Sequence, residues 1–353
     1  MNINFHYAAV KVLALHAGFS PTEAELIAYA SQYVDDETAY KEMGVDKDPG
    51  VPGIRYSNGQ FDPICTAHKQ LDYVRGALDR RARVVVYSCF HFVPSFKPPS
   101  LKCRRQVVKN GTKAKALVVD ALDKLDGSAG EERQRALIRL GIALHSYADT
   151  WSHQGFSGLW DHDNNDIQKL RVKSGNGWKA ASVMSQLLSY AAPDIGHAEA
   201  GVLPDASNMS WDCTPPKMVR GRDNCTEFLE AAEALLELLS GATGGGGAWS
   251  AIRPKLEKCF REPVEGDDMA TALRHKRNNS WRREFPEAKF TYDERTWFEQ
   301  ALWPRGGLID IVGSGLHLDP LDYDVLPGRK YFHFHAMAKE QRDALESDIW
   351  PLV

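Results

Sequence analysis

"GEERQRALIRLGIALHSYADTWSH", residues 130–153, decides how this chain is read. Acidic residues come first, at the end where a helix carries partial positive charge. An apolar stripe follows, with Leu137, Ile138, Ile142 and Leu144 recurring at helical spacing. His145, Asp149 and His153 stand four residues apart on the same helix. Positions i, i+4 and i+8 drift by only about 40° per step, so the three side chains leave the helix along one strip. A carboxylate buried between two imidazoles is costly unless it is paired or bound to a cation. Imidazole and carboxylate are also common donors to Zn²⁺, and the array therefore reads as a metal site. A hydrogen-bonded core network is the competing reading.

Working outward, nearly every periodic stretch reads as helix. In "GFSPTEAELIAYASQYVDD", Ser20 suits the cap, Pro21 the first helical position and Glu23 the first turn. "LKCRRQVVKNGTKAKALVVDALDKL" continues the pattern, and further helices are predicted near 176–191, 226–240, 248–259, 293–303 and 336–348. Strand evidence is thin. "RVVVYSCFHF" (83–92) reads either as a strand or as a buried helix end. The expected class is mainly α. The glycine-rich stretch at 240–250 divides a metal-binding region, 1–240, from a C-terminal helical extension, 241–353, packed on it as a second unit or as one continuous domain.

The bulk numbers exclude little but point one way. The apolar share is 43%, the charged share 25% and the net charge −4. That charge provides no general basic field, so nucleic acid is not the favoured partner, although "RHKRNNSWRREF" (274–285) is locally basic. The first residues lack the pattern of a secretory signal and no stretch is apolar enough to span a membrane, so a cytoplasmic protein is expected. Export by a specialised secretion system is compatible with this. Six scattered cysteines without a CxxC pair read as buried free thiols, with Cys213 and Cys225 the pair to check.

Further ligand candidates are His6 in "NFHYAAV", Asp35 and Asp36 in "AYASQYVDD", His68 in "CTAHKQLDYV", and His91 in "CFHFVP". His197, Glu199 and Asp205 follow in "IGHAEAGVLPD". Together with "LHSYADTWSHQGFSG", this ordered set resembles the superfamily of zinc-dependent phospholipase C and the single-strand-specific zinc nucleases. Residues 1–205 look most like a bacterial family within that group. The resemblance implies an all-helical domain holding two or three Zn²⁺ ions, with other divalent metals as alternatives. It implies that His145 and Asp149 form the HxxxD element, with Asp149 bridging metals, and that His153 and His197 share a further ion with Glu199 or Asp205. His6 and Asp36 (or Asp35) match the early ligands, and His68 (or His91) the shared histidine. In that superfamily the first residue of the mature chain gives its amine to a metal. Here Met1 precedes His6 by five residues with no cleavage site suggested, so the amine is left out of the expected set. A carboxylate of the phospholipases falls on Gly201.

The expected activity is metal-dependent hydrolysis of a phosphate ester, with a phospholipid or small phosphodiester as substrate. Divalent ions lower the pKa of water from about 15.7 toward 7 and neutralise phosphoryl charge. Asp149 would bridge and Asp36 would double as a base. Ser146, Tyr147, Ser152 and Gln154 would orient imidazoles, and Trp151, Phe156, Trp160, Phe90 and Phe92 would line an apolar mouth. A single-strand nuclease, a di-iron oxidative enzyme and a non-catalytic metal-stabilised module are the alternatives. Di-iron bundles use paired Glu-x-x-His elements, which the sequence lacks.

Overall fold

The computed structural model describes residues 1–38, 63–68, 76–175, 177–181, 193–214, 219–262, 279–302 and 329–353. The described chain is mainly helical, and no helix in it is long and apolar enough to cross a membrane. A π-helical segment over Asn4–Ala9 runs into α1 (Val10–His16). Next comes α2 (Pro21–Asp36), opened by a reciprocal cap in which Ser20 accepts the Glu23 N–H and the Glu23 carboxylate accepts the Ser20 N–H. Then follow α3 (Thr112–Leu125), α4 (Gly130–Ser152), α5 (Asn224–Thr243), α6 (Trp249–Arg261) and α7 (Lys330–Ile349).

The central element is α4, every residue of which is buried from Ala136 to Ser152. It packs against α2, α3, α5 and α7. Its approach to α2 is close because Gly141 has no side chain: a Cβ there would lie 2.7 Å from the Ala30 Cβ. His145 lies one turn beyond Gly141, and Asp35 lies in the last turn of α2, so this contact sets the distance between them. Residues on α7 also reach α4. Gln341 accepts from Arg139 at 3.0 Å and donates to Ser146 Oγ at 2.7 Å and Cys89 O at 3.1 Å. One buried apolar core runs from Met1 to Leu352. The glycine-rich stretch is exposed but tied to the body: Gly244 ends α5 at φ +65°, and the Gly247 N–H donates to His16 O at 2.8 Å.

Of the two readings of 83–92 the buried helical one holds, and two other local expectations need correction. "RVVVYSCFHF" forms a π-helix over Arg83–His91, closed by the Phe92 N–H on Tyr87 O at 2.8 Å. Burial from Val84 to Phe90 overrides the strand preference of three successive valines. The 101–125 stretch is broken into a short helix, Leu101–Arg105, and α3, because residues 106–111 pair with the exit of α4. There the Val107 N–H meets Phe156 O and the Gly155 N–H meets Val107 O, both at 2.8 Å. Residues 177–180 form a strand, while 182–192, the rest of that predicted helix, lie outside the described residues. The strand belongs to an antiparallel sheet ordered β2-β1-β3-β4, with β1 Gln168–Ser174, β2 Gly177–Ala180, β3 Ser210–Thr214 and β4 Val219–Asp223. All six cysteines are free thiols, including Cys213 and Cys225.

The glycine contact yields a test. Gly141→Ala should destabilise the protein by about 1–3 kcal/mol, because the α2 backbone must retreat to admit a methyl group. Thermal denaturation measures this, and an unchanged midpoint would show that the close approach is not a constraint.

Candidate metal centre

Both chain segments that precede α2 and α4 in the cluster deliver their histidines from π-helical turns: His6 from Asn4–Ala9 and His91 from Arg83–His91. Such turns re-aim a side chain relative to a regular helix and are frequent at functional sites. From α4 come His145 and Asp149, with His153 just beyond its end. Asp35 arrives from α2, and His197 and Asp205 flank two short 3₁₀ turns, Ala198–Ala200 and Leu203–Asp205.

These residues meet in three adjoining groups: His6, His145 and Asp149; Asp35, His91 and His145; and His153, His197 and Asp205. Asp149 ties them together. Its Oδ1 lies 3.1 Å from His6 Nε2, while its Oδ2 lies 3.2 Å from His145 Nε2, 3.4 Å from His91 Nδ1 and 3.6 Å from His153 Nδ1. Asp35 Oδ1 stands 3.8 Å from His145 Nε2 and 3.9 Å from His91 Nδ1. Asp205 is 3.1 Å from His153 Nε2 through Oδ1 and 3.2 Å from His197 Nε2 through Oδ2.

Four imidazoles are oriented from behind by backbone carbonyls. His145 Nδ1 donates to Ser31 O, His91 Nε2 to Thr66 O and His153 Nδ1 to His91 O, each at 2.8 Å; His197 Nδ1 donates to Gly201 O at 2.9 Å. With the outer nitrogen donating, a neutral ring turns a lone pair inward, as metal-ligating histidines do. Inward nitrogens then face each other at 3.1 Å in two pairs, His145 Nε2 with His91 Nδ1 and His153 Nε2 with His197 Nε2. Two lone pairs at that separation repel unless a cation or proton lies between them. Ligands at about 2.0–2.1 Å from a tetrahedral Zn²⁺ stand about 3.3–3.4 Å apart, close to the spacings here.

The Met1 nitrogen lies in the same cluster, where the expected ligand set had omitted it. It contacts Asp149 Oδ1, and it stands 3.1 Å from both Asp205 Oδ1 and Ser152 Oγ. Burial pushes this amine's pKa down, but Asp149, Asp205 and Asp35 outweigh it and raise the value to about 10. Burial likewise opposes ionisation of Asp149 and Asp205, yet the surrounding imidazoles and the amine hold both well below the usual carboxylate range. Burial lowers His6 well below its ordinary value and His153 to about 4. Ionised carboxylates and neutral imidazoles are the forms that bind divalent cations, so these four groups stand ready for one. By contrast, burial raises the pKa of Asp35, and at His91 burial is outweighed by Asp149 and Asp35, which raise it.

Three sequence-predicted residues stand elsewhere. Asp36 points off the far side of α2, accepting from Tyr292 OH at 2.7 Å and Gln32 Nε2 at 3.0 Å; Asp35, one residue earlier, takes the inward direction. Neighbouring helix positions differ by about 100°, so only one of the pair can face the cluster. His68 meets Tyr87 OH at 3.1 Å, and His91 occupies the cluster in its place. The Glu199 carboxylate caps the Ile167 N–H, and its pKa is pushed up to about 7, chiefly by burial. Asp205 supplies the carboxylate instead. Of the expected orienting residues, Ser152 reaches the cluster, whereas Ser146 donates to Phe90 O, Tyr147 to Asn110 Oδ1 and Gln154 to Trp151 O. Phe92 stacks on His153 at 4.3 Å between ring centroids, while Phe90, Trp151 and Phe156 are core residues. His333 and His335 lie in α7 away from the three groups; His275 and His317 are outside the described residues.

The chain matches, over residues 1–349, a family of unknown function, DUF6765. It belongs to that family. No curated protein and no solved structure matches this DUF6765 member.

Zinc added to metal-depleted protein should bind at two to three ions per chain and raise the melting temperature. Asp149→Asn should lose at least one ion, whereas Asp36→Asn and His68→Ala should retain the full number. Equilibrium dialysis with elemental analysis distinguishes these outcomes; equal losses in all three variants would mean that the three groups do not act as the binding site.

Proposed function

We propose that this protein is a metal-dependent hydrolase of phosphate esters, of the zinc-dependent phospholipase C kind, with a phospholipid or small phosphodiester as substrate. The observation that carries the reading is the set of three His/Asp groups joined through Asp149 and His145. Adjoining sites that share ligands suit phosphoryl chemistry, in which the attacking and leaving oxygens and the non-bridging oxygens all need stabilisation. Zn²⁺ fits the donor set best, since five imidazoles and three carboxylates converge without a thiolate.

His6 and Asp149 would hold one ion and Asp35 and His91 a second, with the single inward nitrogen of His145 completing one of the two. His153, His197 and Asp205, with the Met1 amine beside them, would hold a third. When bound, such ions acidify water and offset phosphate charge. The protein's own groups do the rest. Asp149 presents one oxygen to each side and so fixes the spacing of the groups. The four backbone carbonyls hold the imidazoles in one tautomer, and Phe92 blocks rotation of the His153 ring.

Access supports catalysis over a purely structural role. His6, His145 and Asp149 are sealed, but Asp35 is 30% exposed, Asp205 22%, His197 15% and His91 11%. A structural site is closed to solvent, whereas a catalytic one keeps a reachable position. Asp35, at the solvent side, takes the role of proton acceptor expected of Asp36. The nuclease reading gains less support: Trp281 and Phe285, both in the 274–285 basic stretch, are fully buried against each other and Phe260 and are closed to base stacking.

Zinc-loaded protein should cleave a chromogenic choline phosphodiester faster than a short single-stranded DNA. Asp149→Asn should lower that turnover by a hundredfold or more, exceeding the roughly 10–100-fold typical of residues that only orient a ligand. Turnover unchanged in this variant would remove the reading.

A further inference from the structure

Between Asp166 and Asp194 the sequence holds four Lys or Arg residues and no acid, in a chain whose net charge is −4. The structure folds the described part of this segment into the β1–β2 ribbon at the free edge of the sheet. The register sorts its side chains. Val172 stands opposite Trp211, and Trp211 opposite Arg222, which makes the inward face. Trp211 and Arg222 are buried there, with Arg222 donating to Trp151 O at 2.6 Å and so tying the sheet to the end of α4.

The outward face carries Arg171 opposite Asp212, and Lys173 opposite Trp178. Arg171 is neutralised by Asp212 at 2.6 Å and lies 5.8 Å from the centre of the Trp178 ring. Lys173 shares its face with Trp178, itself 38% exposed, while Lys179, opposite Val172, is exposed on the other face of the ribbon and Lys169 is exposed near the register shift of β1. A Cβ placed on Gly175 or Gly177 would meet nothing within 4 Å, so the end of the ribbon stands clear of the body. An exposed tryptophan on a ribbon with lysines on both faces is not required for packing, and burial of Leu170 and Trp211 already seats the sheet.

We infer that the β1–β2 ribbon docks the protein on an anionic lipid surface, with Trp178 entering the headgroup layer and Lys169, Lys173 and Lys179 facing lipid phosphates. Tryptophan favours the membrane–water interface, and each lysine near an anionic leaflet adds attraction. A protruding ribbon with one ring suits a layer that can be entered. Single-stranded nucleic acid calls instead for a groove with several stacking rings, and Trp178 is the exposed aromatic among the described residues of the four strands. The sheet is mounted beside the partly exposed His153, His197 and Asp205 group: Phe156 contacts both Trp211 and His197. The choice of lipid as partner rests on the phospholipid reading above.

Binding of the full chain to vesicles is measured without turnover, by co-sedimentation with pure phosphatidylcholine and with phosphatidylcholine containing phosphatidylserine at seven to three. Binding should require the anionic lipid and should weaken as salt is raised. Reversal of three charges in Lys169→Glu/Lys173→Glu/Lys179→Glu should weaken it by about a hundredfold. Trp178→Ala should weaken it several-fold, with zinc content and turnover of a soluble phosphodiester as controls of folding. No binding of the unaltered chain, equal binding by the triple variant, or tighter charge-dependent binding of a short oligothymidine would overturn the inference. Vesicle binding without any hydrolysis would support the docking surface while removing the hydrolase reading; hydrolysis of soluble substrate without vesicle binding would do the reverse.

Discussion

A carboxylate with almost no solvent exposure, surrounded by imidazoles, is the constraint on which the rest of the structure depends. Asp149 sits in the continuously buried stretch Ala136–Ser152 of α4, where an isolated negative charge would be strongly disfavoured. Its two oxygens are each faced by positive or polarisable partners drawn from three chain segments: residues 1–6, the π-helix ending at His91, and α4 with its exit. The surrounding helices therefore cannot slide independently: moving any one of them uncovers a buried charge. Gly141 permits the approach of α2, the π-helical turns aim His6 and His91, and backbone carbonyls lock the rings.

The repulsion between inward nitrogens shapes the same region. A protein that only needed a polar seam would place a donor opposite each acceptor. Here carbonyls claim the outer N–H groups, and the inner nitrogens are left to face one another and the carboxylates. Such an arrangement is satisfied by cations. The Met1 nitrogen lies between Asp149 and Asp205.

Much of the helical framework was legible in the residues. The cap at Ser20, the stripe on α4 and the apolar runs of α5 and α6 each carry their own local signal, because helix formation answers to spacing within a few turns. The sheet was not read, although "SGNG" between "KLRVKS" and "WKA" is a hairpin signal at residues 174–177. Its strands are short and mostly exposed, so the apolar alternation that marks a half-buried strand is weak. The π-helix at Arg83–His91 had no comparable signal, since valine-rich runs read alike in strands and buried helices.

The sequence by itself determined that this is a mainly helical chain with histidines and carboxylates in a repeated, helix-compatible order. It determined the strip of His145, Asp149 and His153, since that follows from the pitch of one helix. Only the tertiary structure chose Asp35 over Asp36, His91 over His68 and Asp205 over Glu199, and only it added the Met1 nitrogen. Each choice turns on the direction of one side chain after distant segments have packed. Adjacent residues on a helix point about 100° apart, and nothing within either segment says which direction will face the common centre.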